Sequence, residues 1–454
     1  MTQSTPSSVM AGAPLSKFHV VLLACCSFIM FFDGYDLIVY GSVLPTLMKE
    51  WNLAPDQAGW LGSAALVGMM CGAVFLGSLA DRIGRRPVIL HGTLLFSIAA
   101  VLTGFSTGPE MFGILRFATG VFLGGVIPNI VSLMNELAPA AKRHTMTTIM
   151  LSMYSVGSIA ATLVAIWILP LLSWHAVFFV SGISLLALPF LYSQMPESLE
   201  FLTSRGQQAA ARKLIHRARP GADLSLVTWT AGREAGLRAV TVASLFHSGR
   251  ALGTPMIWIA FAMCLLMVYG LNTWLPKIMI AGGYDLGSSL QFLVVLNIGA
   301  TAGALLGGWL GDRFGNRKVL VAFFGLAVVS LVALGLHPAP ILLNALLLLA
   351  GATTVGTLAV IHSFAADFYP AAMRSTGVSW CSAIGRLGAI AGPVLGGNLL
   401  AMELPQTQNF MAFAAPGLLA IVAVLLVLKP KKDGTESRSK EVQQLAVTNT
   451  STNH

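Results

Sequence analysis

Gly77-Ser78-Leu79-Ala80-Asp81-Arg82-Ile83-Gly84-Arg85-Arg86 and Gly308-Trp309-Leu310-Gly311-Asp312-Arg313-Phe314-Gly315-Asn316-Arg317 are two versions of one stretch, 231 positions apart. Each sets an Asp-Arg pair and a glycine between two long apolar blocks. The same offset carries Glu136, Pro139, Ala140, Ala141 and Arg143 onto Asp367, Pro370, Ala371, Ala372 and Arg374. It also carries Leu44-Pro45 onto Leu275-Pro276, Gly120 onto Gly351 and Gly125 onto Gly356. One gap-free offset through so many blocks marks the halves of this 454-residue chain as copies in parallel orientation.

The blocks around these stretches decide the solvent. Hydrophobic residues make up 56% of the chain and charged residues 10%, against about 25% charged in soluble proteins. Mean hydropathy is +0.77. That excludes a soluble enzyme, a disordered chain and a disulfide scaffold. A hydrocarbon core needs roughly 20 apolar residues per helical span. Twelve blocks of that kind are predicted as spans, at 18–47, 57–80, 87–106, 109–133, 145–170, 174–192, 254–280, 289–311, 318–336, 340–366, 375–400 and 408–428. The expected fold is an all-α integral membrane protein, twelve transmembrane helices in two six-helix bundles. Its parts are an N-terminal segment (1–17), a first bundle (18–192), a central loop (193–253), a second bundle (254–428) and a disordered tail (429–454).

Position matters more than total for the basic residues. The net charge of +9 would raise a nucleic-acid partner in a soluble chain, and none is expected here. If both termini face the cytoplasm, 23 Lys and Arg fall on that side, including Arg233 and Arg238 of the central loop, and two, Lys49 and Lys277, on the other. The positive-inside rule then sets both termini in the cytoplasm. No removable signal peptide is evident. The five cysteines all lie in apolar blocks without metal-site spacing, so packing is their expected role and no metal is expected.

The Gly77–Arg86 motif between spans two and three, its echo between eight and nine, and the six-plus-six plan resemble the major facilitator superfamily. Arg116-Phe117-Ala118-Thr119-Gly120 in span four is similar to that superfamily's span-four arginine motif, frequent in proton-coupled members. Phe32-Asp33-Gly34-Tyr35-Asp36, followed by Tyr40-Gly41 and Pro45, resembles the aromatic acid:proton symporter family, and within it the benzoate transporters. The resemblance implies two bundles that alternate around a central cavity. It also implies that Asp81, Arg82 and Asp312 hold spans together in one of the alternating states.

Physical chemistry singles out the same residues. A carboxylate within a span costs about 2.5–3.5 kcal/mol on insertion scales and marks a functional site. Asp33 and Asp36, three residues apart, share a helical face. Arg116 and Asp36 lie at depths of about 10 and 16 Å from the outer end, compatible with a carboxylate–guanidinium contact. These three are the proton-coupling candidates, with a fixed structural ion pair as the alternative. Arg386 lies about 18 Å into span eleven, near the midplane. No acidic residue of the second half sits at its depth, so it is the candidate anchor for an anionic substrate, or a partner of Asp33 or Asp36. Tyr35, Tyr40, Asn272 and Trp274 are candidates to line the cavity around an aromatic ring. His362 suits a polar contact or a proton relay. Asp81, Arg82, Arg86, Glu136, Arg143, Asp312, Arg313 and Arg374, at wet span ends, read as gating or structural charges. Asn316 breaks the motif in the second copy, which predicts a weaker charge network there.

The expected function is proton-coupled uptake of an aromatic carboxylate, benzoate or a hydroxybenzoate, by a multi-pass monomer in a bacterial inner membrane. No enzymatic activity and no cofactor besides the proton are expected. A symporter of a non-aromatic acid such as muconate, an exporter and a non-transporting sensor are the alternatives.

Overall fold

The computed structural model describes residues 5–222, 224, 227, 229, 242–247, 249–370 and 373–427. The tail at 429–454, Arg233 and Arg238 lie outside the described residues. Twelve long apolar helices account for the spans: Lys17–Glu50, Pro55–Ile83, Arg85–Thr103, Pro109–Leu137, Arg143–Ile168, Trp174–Gln194, Gly253–Ala281, Leu286–Phe314, Asn316–Leu334, Pro340–Phe368, Thr376–Ala401 and Gln406–Leu426. Among the described residues there is no strand. Span six contains a 3-10 turn at Val180–Gly182, and span ten breaks between Thr354 and Thr357. Thr353, Thr354 and Thr357 each bond back to the carbonyl four residues earlier, which competes with the helical ladder there.

Backbone contacts repeat with the sequence. Gly68 lies on Phe117 and Gly299 on Leu348; Gly72 lies on Val121 and Gly303 on Ala352. Gly120 lies on Ala65 and Gly351 on Leu296; Gly157 lies on Phe31 and Gly388 on Ala262. Each pair maps onto its counterpart by the offset of 231. Without a driving force from water, membrane helices gain their contact from such close backbone approach. Gly41 and Asn272, themselves equivalent by that offset, touch where spans one and seven cross. Equivalent residues meet only near the axis that relates two copies, so this crossing marks it. Both copies of the loop motif also need glycine: Gly84 and Gly315 have φ of +100° and +87°.

The halves close on each other at one end, the end far from the termini. Gly59 packs on Pro393 and Gly397 on Pro55 across the halves. Ser63 Oγ donates to the carbonyl of Ile390 at 2.6 Å. A core including Val43, Leu47, Met267, Leu271 and Phe413 fills that end.

The described residues of the central segment include helices, Leu199–Ser204 and Gln208–Ala218, and a 3-10 turn at Val242–Phe246. Ala211, Leu214, Ile215 and Ala218 are buried at helical spacing. They share a core with Met10 of the short N-terminal helix Pro6–Ala11 and with span-end residues Leu133 and Leu137.

The glycine contacts carry a prediction. Gly351→Leu drives a side chain into the backbone of Leu296 and costs upwards of about 1–3 kcal/mol. It should abolish the monodisperse peak in size exclusion. Gly308→Ala, with nothing within 4 Å of the added carbon, should leave the melting temperature in detergent unmoved.

Candidate functional site

A cavity of about 210 Å³ lies between the halves, bounded by spans one, two, four, seven, ten and eleven. It is smaller than the about 300–1,000 Å³ of drug-sized sites, as suits a small solute. Its lining divides by chemistry. Leu37, Leu66, Met69, Ile127 and Leu265 form apolar walls, whereas Asp33, Tyr269, His362, Ser382 and Arg386 carry the polar groups. Asp33 and Arg386, from opposite halves, face the same space. Asp33 is 3% exposed, and its Oδ1 has no hydrogen-bond partner. Arg386 is half-buried, and no carboxylate lies within 4 Å of it among the described residues. Tyr154 and Tyr269, again from opposite halves, lie near Asp33.

Asp36 lies elsewhere. Arg116 Nη1 donates to Asp36 Oδ1 at 2.7 Å, and its Nη2 donates to the Asp36 backbone carbonyl at 3.0 Å. Both side chains are 2% exposed. The sequence places the two aspartates on one face, yet the turn of about 60° between positions three apart suffices to separate them. Asp33 looks into the cavity and Asp36 into span four.

Four expected cavity residues are corrected. Tyr35, Tyr40, Asn272 and Trp274 do not line the cavity. Each polar tip is bound to a backbone carbonyl or an amide in the packed far end. Tyr35 donates to Val177 at 2.7 Å, Tyr40 to Ala58, and Trp274 Nε1 to Pro393 at 2.7 Å. Asn272 donates to Val268 and accepts from Asn297 Nδ2 at 3.2 Å. These side chains seal the closed end instead. A buried polar tip needs a partner, and here backbone carbonyls and the Asn297 amide serve.

At the terminus end, Arg85 forms ion pairs with Glu136 and, at 3.3 Å, Glu200. Glu136 also accepts from Ser198 Oγ at 2.8 Å and from the Glu200 amide at 2.6 Å. Glu197 Oε1 accepts from the amides of Arg85 (2.9 Å) and Arg86 (3.1 Å), an anion at the N-terminus of a helix. Arg86 Nη2 donates to the Tyr192 carbonyl at 2.7 Å. Glu197, Ser198 and Glu200 were missed as network members, although a serine three residues before a helical amide is a capping signal. In the second copy Asn316 donates to Asp367 at 2.6 Å where Arg85 pairs with Glu136. A single hydrogen bond from an amide side chain stands where the first copy has an ion pair. Asp81, Arg82, Asp312, Arg313 and Arg374 are exposed, Arg143 is half-buried, and none of them forms an ion pair among the described residues.

Two homologous halves around one axis, with charged groups near mid-span at their junction, define a membrane transporter rather than an enzyme. Residues 26–306 and 288–451 match the Major Facilitator Superfamily, and the chain belongs to it. It is similar to a benzoate transport protein of Acinetobacter baylyi, 38% identical over 91% of this chain and 90% of that one. It is also similar to a gentisate transporter of Corynebacterium glutamicum, 35% identical over 92% of this chain and 89% of that one. Its fold is similar to that of the xylose transporter XylE from E. coli, with a TM-score of 0.71 at 18% identity, covering 92% of this chain and 99% of that one.

The Asp36–Arg116 geometry makes a stability prediction. Asp36→Asn and Arg116→Leu each strand a buried polar partner and should cost about 3–5 kcal/mol. The double variant should be more stable than either single one. Melting curves of all four proteins in one detergent check this, and additive losses would contradict it.

Proposed function

We propose that this chain is a proton-coupled symporter that imports an aromatic carboxylate, benzoate or a hydroxybenzoate, by alternating access across a bacterial cytoplasmic membrane. Both termini lie in the cytoplasm in this reading, on the strength of the basic residues concentrated at that end. The halves meet at the far, outer end, so the conformation is inward-facing. The relatives named for benzoate and gentisate support the substrate class. The observation that carries the mechanism is the pairing of an unpartnered, buried Asp33 with Arg386 across one cavity.

Charge counting gives the coupling. With no substrate, deprotonated Asp33 balances Arg386 and the cavity is neutral. With substrate, the carboxylate takes Arg386, and neutrality then requires a proton on Asp33. The two mismatched states leave a net charge in a low dielectric, and closing the cavity around it is costly. Only the empty and the doubly loaded forms cross readily, one proton per acid. Moving the anion inward against a negative interior costs about 2.3 kcal/mol per 100 mV. The proton cancels that cost and leaves the pH gradient as drive. Arg116 holds Asp36 throughout and positions span one. The apolar walls take the ring. At the wet end, Asp81, Arg82 and Asp312 form no ion pair among the described residues, in keeping with a role in holding the opposite state.

Uptake of labelled benzoate into proteoliposomes with an alkaline interior tests the reading. Wild type should accumulate the acid and lose it on addition of a protonophore. Asp33→Asn should lose gradient-driven accumulation yet still exchange internal for external acid. Arg386→Ala should lose both. Acid binding without any gradient-driven uptake by wild type would replace transport with sensing.

A further inference from the structure

Spans two and eleven close the outer end of the molecule rung by rung. Pro55 meets Gly397 at the top, Gly59 meets Pro393 one turn deeper, and Ser63 Oγ meets the Ile390 carbonyl below that. Span two starts at the outer end and span eleven finishes there, so the rungs descend toward the cavity. The next rung sets Leu66 and Met69 of span two against Ala389 of span eleven, and the three pack as one cluster across the halves. All three also line the cavity. The lowest rung of the closure is therefore the cavity's roof, about 12–16 Å below the outer helix ends. It differs in kind from the rungs above. Those bring backbone close to backbone or a hydroxyl to a carbonyl, whereas this one is made of apolar side chains, each 3–6% exposed. Arg386 precedes Ala389 by three residues, on the same face of span eleven and about 4.5 Å lower. On the terminus side of Arg386 the wall turns polar, with Ser382 and His362. An apolar ring whose carboxylate is held by Arg386 is driven the other way, against the roof.

We propose that Leu66, Met69 and Ala389 gauge the width of the substrate's ring, so that a single ring crosses while a fused two-ring acid holds the outer closure open and blocks. This rests on the transporter reading above. Alternating access requires the outer closure to part for entry and to reseal over the bound acid. A single ring fits beneath the roof, in a cavity of about 210 Å³. A second ring takes the space in which Met69 and Ala389 meet. The rungs above then cannot close over it, because Gly59 and Gly397 have no side chain to withdraw. Methionine suits the position. Its rotatable bonds let it conform to rings with different substituents, yet they do not remove its volume. Ala389, the smallest of the three, leaves the room in which the ring sits.

Uptake of labelled benzoate and 2-naphthoate into proteoliposomes with an alkaline interior tests this, with the signal of protein-free liposomes subtracted. The readout is the contrast between the two acids rather than either rate. Wild type should accumulate benzoate alone, while external 2-naphthoate competes with it. Met69→Ala should accumulate 2-naphthoate, and its KM for benzoate should rise about tenfold as the ring loses apolar contact. Leu66→Ala widens the same roof and should act likewise, should Met69→Ala fail to fold. Three outcomes would overturn the gauge while leaving acid symport standing: wild type that accumulates both acids alike, 2-naphthoate that does not compete, or variants that weaken benzoate uptake without admitting 2-naphthoate. Wild type that moves neither acid under a gradient would overturn both.

Discussion

A carboxylate inside a bilayer must be neutralised by a fixed cation, by a proton or by water, because its bare charge is too costly to keep there. Span one carries two such groups three residues apart, and the fold answers each differently. Asp36 is held by Arg116 through its side chain and its backbone carbonyl. That contact ties span one to span four and leaves Asp36 little room to change state. Asp33 has no such partner and opens onto the cavity. The cavity, its arginine and the proposed coupling all depend on that difference.

The duplication supplies the scaffold, and the chemistry departs from it. Glycine contacts repeat in both halves by the same offset, from Gly68 and Gly299 to Gly157 and Gly388. The charged groups do not. Asp33, Asp36 and Arg116 stand where the second copy has Cys264, Met267 and Leu347, and Arg386 stands where the first has Ser155. The first half thus supplies the cavity's carboxylate and the second its cation. At the wet end the asymmetry is milder, with Asn316 and Asp367 in place of Arg85 and Glu136. Backbone packing has to be alike for two bundles to close against each other. A site on the axis needs unlike groups to bind an unsymmetrical solute.

Span positions were legible because hydrophobic length is a one-dimensional property, and the observed helices fall within a few residues of the predicted blocks. The repeat was legible for the same reason. Arg386 and Asp33 were legible as charges that apolar surroundings cannot tolerate alone. Tyr35, Tyr40 and Trp274 were misplaced because an aromatic side chain with a polar tip fits a cavity wall and a sealed core equally well in sequence. The central segment was read as a loop, although the spacing of Ala211, Leu214, Ile215 and Ala218 already carried its helix.

The sequence by itself determined the solvent, the number of spans, the duplication and the buried charges, since each follows from residue type and spacing along the chain. The tertiary structure decided which charges meet. Whether Asp33 or Asp36 takes Arg116 turns on a rotation of about 60° about one helix axis. Whether Met69 meets Ala389 turns on how spans two and eleven pack. Those are distances between helices far apart in the chain, and only the packing of backbone on backbone sets them.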